Sequence, residues 1–257
     1  MKGFFIKKAF FDGWDNLIAM VVLNLIYVAF FLALLGALTL FGSMNVFAYV
    51  LLLLIIFLWC LAKGGVAGAS YEWSNYKSST FSAFKEGFVR NIRHSLLYFG
   101  LMVVEFLMFI VVLPFYAGMQ GAFPLIVSVI LFWVELIFLM AIPYYFPLMS
   151  RLPGDRPLKT LKKCFIVMAD NIGFSVFLLF YNIICLVLTI STFGLIPGVA
   201  GMQLAKQDAV KLIMFKYDYM EENADADRKH IPWDDLLYEE REKVGPRSLK
   251  SMIFPWK

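Results

Sequence analysis

The sequence predicts an all-α fold, a polytopic helical membrane bundle, and three observations support this prediction. Apolar residues make up 61% of the 257 positions and charged residues only 16%, whereas a soluble domain has about 45–50% apolar and roughly 25% charged residues. Several apolar runs reach the length of about 20 residues that a transmembrane helix needs. The polar segments between these runs alternate between uncharged and strongly basic. These features together exclude a water-soluble globule.

The apolar runs give the order of the transmembrane helices. Five strong runs cover residues 17–41, 46–62, 95–118, 122–142 and 172–195. A sixth run over 197–215 is interrupted by polar residues such as Lys206, and a lipid-facing charge at depth costs about 3 kcal/mol. Its polar side should therefore face the other helices. We expect six transmembrane helices in a domain over 17–215, with five helices plus a re-entrant segment as the alternative.

The distribution of lysine and arginine predicts the orientation of the chain. The segments 42–45, 119–121 and 196–198 carry no charge, whereas the N-terminus, the segment over 63–93 and the basic loop over 150–170 are rich in Lys and Arg. Basic residues retained beside transmembrane helices mark the cytoplasmic side. Both termini are therefore expected in the cytoplasm.

The N-terminal segment over 1–16 has an amphipathic pattern. Its aromatic residues lie at roughly helical spacing, and the charged residues Lys7, Lys8, Asp12 and Asp15 are expected on the opposite face. Such a pattern is typical of a helix that lies in the plane of the membrane interface. The sequence therefore predicts an interfacial amphipathic helix here.

The cytoplasmic loop over 71–94 has a second amphipathic pattern. Phe81, Phe84 and Phe88 recur at helical spacing, while Lys85 is expected to face away from them. Such a helix can rest on anionic headgroups of the lipid bilayer. It can also dock on a cytoplasmic or membrane protein partner, and the pattern alone leaves both interpretations open.

The tail over 216–257 is expected to contain one short cytoplasmic helix over 233–244. Pro232 suits the first turn of that helix, and Gly245 suits its end. Apolar residues of this helix and of the last, basic peptide are candidates for docking on a partner or for lying on the inner leaflet. These candidates are Trp233, Leu236, Leu237, Phe254 and Trp256.

Five polar residues within the apolar runs are expected to share one layer of the inner leaflet. They are Asn24, Glu105, Glu135, Asn182 and Lys206, at similar distances from the cytoplasmic ends of their runs. Ionisable residues inside a membrane mark a functional site by default. The two glutamates could form a titrating pair with the lysine as counter-charge. Alternatively, all five residues hold the helices together through hydrogen bonds.

The sequence carries no motif for an enzyme, a cofactor, a metal or nucleic acid. The P-loop, Rossmann, nucleophile-elbow and zinc-protease patterns do not occur. Cys60, Cys164 and Cys185 lie far apart, and neither His94 nor His230 has ligands at metal spacing. The basic cytoplasmic loops account for the net charge of +4, so no nucleic-acid partner is indicated.

Four short patterns support a family resemblance. They are Asn16-Leu17 with Asn24-Leu25, the small-residue run from Gly64 to Tyr71, the aromatic segment Phe81, Phe84, Phe88 with Asn91, and Pro143-Tyr144-Tyr145-Phe146-Pro147-Leu148 before a basic loop with Leu161-Lys162. Through these patterns the region 1–215 resembles the YesL-like family of small bacterial integral membrane proteins. The chain differs from that family in an additional span over 46–62 and in its long tail. The resemblance implies a membrane protein associated with bacterial carbohydrate uptake, without catalytic residues.

These observations together predict a non-enzymatic accessory or scaffold subunit of a bacterial solute uptake system, carbohydrate uptake being the kind that the resemblance implies. We expect it in the bacterial cytoplasmic (inner) membrane, where the loop over 71–94 and the tail would hold a protein partner. The alternative is a small transporter or channel that uses Glu105 and Glu135.

Overall fold

The computed structural model describes residues 1–39, 46–223, 227 and 231–247. In these parts of the chain all regular secondary structure is helical, which confirms the predicted all-α fold. The helices in chain order are α1 (Lys2–Asp15), α2 (Leu17–Thr39), α3 (Val46–Ser74), α4 (Thr80–Arg90), α5 (Ile92–Leu107), α6 (Leu113–Ala117), α7 (Ala122–Ala141), α8 (Tyr145–Arg151), α9 (Pro157–Asp170), α10 (Ile172–Ser191), α11 (Gly198–Glu222), α12 (Trp233–Leu236) and α13 (Tyr238–Val244).

Within the described residues, five helical segments are long and apolar enough to cross a membrane. They are Leu17–Thr39, Val46–Ser74, Ile92–Ala117, Ala122–Arg151 and Ile172–Ser191. The chain is therefore a membrane protein with several apolar helices. The more polar α11 does not belong to this set, so a sixth span stays a prediction.

Two of these segments change their helical geometry beside a proline. A π-helical turn over Met108–Val112 joins α5 to α6, and a 3₁₀ turn over Ile142–Tyr144 joins α7 to α8. Pro114 and Pro143 have no backbone N–H to donate to the preceding turn. The local changes of hydrogen-bond spacing let each segment continue past its proline.

Helix α11 runs through the interior of the bundle, where it packs against α1, α2, α3, α8 and α10. Most of its residues from Gly198 to Ile213 are buried, including the polar residues Gln203, Gln207 and Asp208. The prediction that the polar side of this segment faces other helices is therefore correct. Its polarity keeps it from facing lipid, whereas its small residues allow close packing.

The turn between α10 and α11 lies beside the middle of α2. The Asn24 side-chain amide donates hydrogen bonds to the carbonyl oxygens of Leu195 and Pro197, both at 2.8 Å, and its oxygen accepts one from the Ala200 N–H at 2.8 Å. Helix α2 continues for roughly four more turns, about 22 Å, to Thr39. The turn therefore stops well short of the far end of α2.

Helices α3 and α4 meet along a seam of glycines. A Cβ at Gly68 would lie 2.5 Å from the Ala83 carbonyl oxygen, and one at Gly87 would lie 2.9 Å from the Gly64 carbonyl oxygen. The ring of Phe84 covers Gly65, where a Cβ would meet ring atoms at 2.8 Å. Only glycine permits such a close approach of the two backbones.

The N-terminal and C-terminal helices lie on the same face of the molecule. The Lys7 ammonium donates a hydrogen bond to the Gly245 carbonyl oxygen at 2.8 Å. Arg247 holds both carboxylate oxygens of Asp15, at 2.7 and 3.0 Å. Five complete crossings would place α1 and α13 on opposite sides of the membrane. Because the two helices are in contact, the chain must return to the side of α1 after α10.

Helix α1 differs from the expected interfacial helix in the position of two charges. Lys8 and Asp12 are buried together with Phe5 instead of facing water. Phe5 packs edge-on against Phe174, with a centroid distance of 5.6 Å, and so anchors this face to α10. The expectation that Lys8 and Asp12 face solvent was wrong, because residues 5, 8 and 12 share one helical face.

Candidate functional site

Lys8 lies at the centre of a buried group of polar side chains, which we call the Lys8 cluster. Its ammonium donates hydrogen bonds to Asp12 Oδ2 at 2.7 Å and to Tyr76 Oη at 2.9 Å. It also lies 3.3 Å from Glu240 Oε2 and 3.6 Å from Asp208 Oδ1. The Lys8 cluster consists of Lys8, Asp12, Tyr76, Asp208, Lys211 and Glu240.

The Lys8 cluster joins segments that are distant in sequence. Lys8 comes from α1, Lys211 from α11 and Glu240 from α13. The Lys211 ammonium donates to Glu240 Oε1 and to the Ser74 carbonyl oxygen at the end of α3, both at 2.9 Å. The network therefore fixes both terminal helices to the membrane bundle.

Tyr76 enters the Lys8 cluster through an unusual backbone conformation. Its φ angle is 61°, a left-handed value that is uncommon for a bulky residue. The chain reverses there after α3, and the Tyr76 hydroxyl donates a hydrogen bond to Glu240 Oε2 at 2.8 Å. Such local strain persists only where the surroundings hold it in place, and here Lys8 and Glu240 do so.

The pKa values of the cluster reflect the balance between burial and charge. Burial disfavours the charged form of Lys8, but Asp208 and Asp12 outweigh it, so the pKa of Lys8 is raised. Burial, followed by the nearby Asp208 carboxylate, raises the pKa of Asp12 to about 8. Burial also acts to raise the pKa of Glu240, but Lys8 and Lys211 outweigh it and lower that pKa. Asp12 therefore binds a proton more readily than Glu240 does.

Arg151, at the end of α8, extends the Lys8 cluster by a third basic group. Its guanidinium donates to Ser74 Oγ at 3.2 Å and to the Gln207 carbonyl oxygen at 3.1 Å, and it lies over the ring of Tyr71. With Arg151 included, three basic residues face three acidic ones. Buried charges persist only when they are paired in this way.

An open cleft of about 580 Å³ adjoins the Lys8 cluster. Its lining residues are Asn75, Tyr76, Lys211, Phe215, Glu239, Glu240 and Lys243. Both signs of charge are present, and Lys211, Glu240 and Lys243 are already paired with one another. The arrangement can hold the tail in place, because its charges are engaged with each other.

The five residues of the predicted polar layer lie at three separate places in the structure. Glu105 of α5 and Glu135 of α7 lie close enough for their side chains to interact. Asn24 instead holds the turn before α11. Asn182 and Lys206 line a separate cavity. Within the described residues Lys206 forms no ion pair, so the expected pairing of Lys206 with the two glutamates does not occur.

The predicted docking residues on the loop over 71–94 are used partly inside the molecule. Phe84 packs on Gly65 of α3, and Phe88 is half-buried against Phe84. Phe81 is 63% exposed. Only Phe81 of the three therefore has most of its ring available to a bilayer or a partner.

Two of the predicted docking residues of the tail, Leu237 and Trp233, belong to the hydrophobic core or pack against it. The expected helix over 233–244 is interrupted at Leu237, whose side chain is fully buried. Trp233 packs against the same hydrophobic core, and Leu236 is half-buried. The tail helix therefore docks on its own chain. Phe254 and Trp256 lie outside the described residues.

Sequence reasoning missed most of the Lys8 cluster, although one signal was present. Lys8 follows Phe4 by one turn and precedes Phe11 by another, which places it on the apolar face of α1. Its partners Asp208 and Glu240 lie almost at the other end of the chain. No local pattern connects such distant residues.

Comparison with known proteins adds no family to this description. No family model, curated protein sequence or solved structure matches the chain. In the part of the chain that the structure describes, no three His, Cys, Asp or Glu side chains are grouped to hold a metal ion. Fold and site define the class as a helical membrane protein whose termini are joined by buried charges. The resemblance to the YesL-like family stays a prediction.

Proposed function

We propose that this chain is a non-enzymatic accessory or scaffold subunit in the bacterial cytoplasmic membrane, with both termini in the cytoplasm. In this role it binds a subunit of a solute uptake system, and the resemblance suggests a carbohydrate as the solute. The Lys8 cluster supports a scaffold, because it fixes the cytoplasmic face as one unit. The partner-binding surface then lies within the membrane.

The observation that supports this role is the exposure of the segment that contains α5 and α6. In the apolar part of Ile92–Ala117 only 6% of the residues are buried within the chain. This segment nevertheless carries Glu105, in contact with Glu135 of α7. Intramembrane carboxyl groups almost always face protein or water-filled cavities. A membrane helix of a partner would provide the missing protein environment.

A site-specific photo-crosslinker in intact native membranes tests this role. Phe106 and Leu32 are equally exposed, at 61% each, but Phe106 lies beside Glu105 and Leu32 lies on α2. We expect a discrete adduct with a different membrane protein from position 106 and only lipid adducts from position 32. The double variant Glu105→Gln, Glu135→Gln should weaken the protein adduct.

Two outcomes would contradict the accessory role. One is an adduct of twice the mass of the chain, because the partner would then be a second copy. The other is identical lipid labelling from positions 106 and 32, which would show that lipid alone covers the segment.

The contact between Glu105 and Glu135 supports a second candidate function, a small transporter or channel. Two neighbouring carboxyl groups disfavour ionisation of both at once, so such a pair can hold and release a proton. Glu105→Gln with Glu135→Gln should then abolish pH-dependent flux into liposomes. A stable wild-type protein without flux would eliminate this candidate.

A further inference from the structure

A small cavity of about 150 Å³ lies between helices that include α3, α5, α7, α10 and α11. It is distinct from the cleft beside the Lys8 cluster and does not depend on the accessory role proposed above. Its polar lining residues are Lys63, Tyr98, Asn182, Gln203 and Lys206, and its apolar ones are Leu139, Ile142, Pro143, Phe146 and Leu179.

The cavity collects hydrogen-bond donors from three helices. Gln203 is 2% exposed, and its Nε2 has no hydrogen-bond partner among the described residues. The Lys63 ammonium donates to Tyr98 Oη at 2.5 Å, which leaves the Tyr98 hydroxyl hydrogen free. The Lys206 ammonium forms no hydrogen bond or ion pair with the described residues. A buried amide N–H without a partner is costly, so Gln203 Nε2 and the Lys206 ammonium are placed to donate to a ligand. Asn182 Oδ1, which also lacks a partner among the described residues, can accept from a hydroxyl of that ligand or from a water molecule.

The cavity also has unbalanced positive charge. Lys63 lies close enough to Lys206 for the two charges to repel each other. None of the lining residues is acidic. The carboxyl of Glu135, one turn before Leu139 on α7, is engaged with Glu105. An anion in the cavity would remove the repulsion and accept the free hydrogen bonds.

The size of the cavity restricts the anion. A cavity of this volume has room for a small polyatomic anion together with water molecules. Two lysines balance a phosphate group, which carries about −1.5 to −2 charge as a monoester, better than they balance a halide. We propose that this cavity binds a phosphate group through Lys63, Lys206 and Gln203.

The phosphate can come from two sources. Leu139 lines the cavity and is 52% exposed on the outside of the bundle, which gives a lipid headgroup access. Basic pockets between membrane helices on the cytoplasmic side bind phosphate headgroups of acidic lipids. Free inorganic phosphate has the same chemistry and fits the same volume.

Thermal unfolding of the purified full-length protein tests this site in two arms. In zwitterionic detergent, inorganic phosphate is titrated against chloride at equal ionic strength. In phosphatidylcholine nanodiscs, phosphatidic acid is added instead. A ligand that binds only the folded state raises Tm as its concentration increases. We expect such a rise in at least one arm, and the arm that responds identifies the source.

Three variants separate a specific site from general charge effects. Lys206→Met and Gln203→Leu should each weaken the apparent phosphate affinity at least about tenfold, because each removes a buried donor. The control Lys162→Met removes an exposed lysine of α9 and should leave the affinity unchanged. Without phosphate, Lys206→Met should have a Tm no lower than wild type, since an unpaired buried charge is lost.

Two results would overturn the proposal. The first is a wild-type protein whose Tm does not respond in either arm. The second is a response that Lys162→Met loses as completely as Lys206→Met does.

Discussion

Lys8 illustrates how one side chain can bind together the two ends of a membrane protein. Its ammonium contacts Asp12 in its own helix, Asp208 in the central helix and Glu240 in the tail. Removing a charge from water is unfavourable, and only several well-placed partners compensate for it. The side chain is fully buried, so solvent screens these interactions only weakly.

Replacing Lys8 by methionine should destabilise the protein by about 3–5 kcal/mol, because it leaves buried carboxylates without their shared partner. The tail should also become more sensitive to trypsin at Arg241 and Lys243. Thermal unfolding and limited proteolysis in detergent measure these two effects. The exposed Lys85→Met is the matched control.

A double-mutant cycle tests whether Lys8 and Glu240 interact. We expect the effects of Lys8→Met and Glu240→Gln on stability to be coupled. Strictly additive effects would show that the two side chains do not interact.

Asp12 should make the stability depend on pH. Its pKa is raised from 3.8 to about 8 in the folded protein. The stabilisation that this proton provides is complete below pH 3.8 and is lost as the pH rises through about 8. Between these values stability should fall by up to ~1.4 kcal/mol per pH unit. The lowered pKa of Glu240 changes the stability only below about pH 4.5, so it does not contribute between pH 5 and 8.

The comparison of wild type with Asp12→Asn isolates this contribution. Thermal unfolding between pH 5 and 8, values chosen to lie inside the window, should show a smaller slope in the variant. Equal slopes in the two proteins would mean that Asp12 is already ionised in the folded state.

At the scale of elements, the glycine seam sets the distance between α3 and α4. Gly68→Ala should destabilise the protein by about 1–3 kcal/mol, because its Cβ would meet the Ala83 carbonyl oxygen and force the helices apart. Gly100→Ala is the matched control, since nothing lies within 4 Å of its Cβ position in α5. There alanine should be neutral or stabilising by up to about 1 kcal/mol. Equal melting temperatures for the two variants would show that the packing of α3 against α4 does not require glycine at position 68.

The elements that the sequence predicted well are those whose signal is local. Helices such as α2 and α7 are apolar along most of their length, and hydrophobicity alone defines them. The burial of α11 also followed from its polar residues, because lipid would not accommodate them. These predictions needed no knowledge of the neighbouring helices.

The elements that were predicted poorly depend on distant partners. Leu237 was predicted to dock on a partner because the tail sequence does not show which residues cover it. The residues that bury it come from other parts of the chain. Lys206 was assigned to the glutamate pair from depth alone, and depth does not specify the direction in which a side chain points. Depth was sufficient to predict that Glu105 and Glu135 lie near each other. It was not sufficient to predict the cavity around Gln203, because that cavity depends on the direction in which several side chains point.

At the scale of the whole molecule, the turn between α10 and α11 should stay inside the membrane. Phe193 in this turn is 88% exposed, yet neighbouring residues contact Asn24 in the middle of α2. We expect a cysteine at position 193 to resist a membrane-impermeant thiol reagent added from the periplasmic side. Gln120→Cys in the loop between α6 and α7 is the control and should be labelled. Equal labelling of both positions would show that α10 and α11 cross the membrane completely.

The position of Glu240 has a consequence for biogenesis. Ribosomes make Lys8 before the five apolar helical segments and Glu240 after them, so the nascent helix α1 lacks this carboxylate until all five have been made. A chain released early lacks that carboxylate and keeps an incompletely neutralised lysine at the membrane surface. A chain that stops before Glu240 should therefore be degraded more readily than one that contains it, which pulse-chase labelling of the two chains would measure.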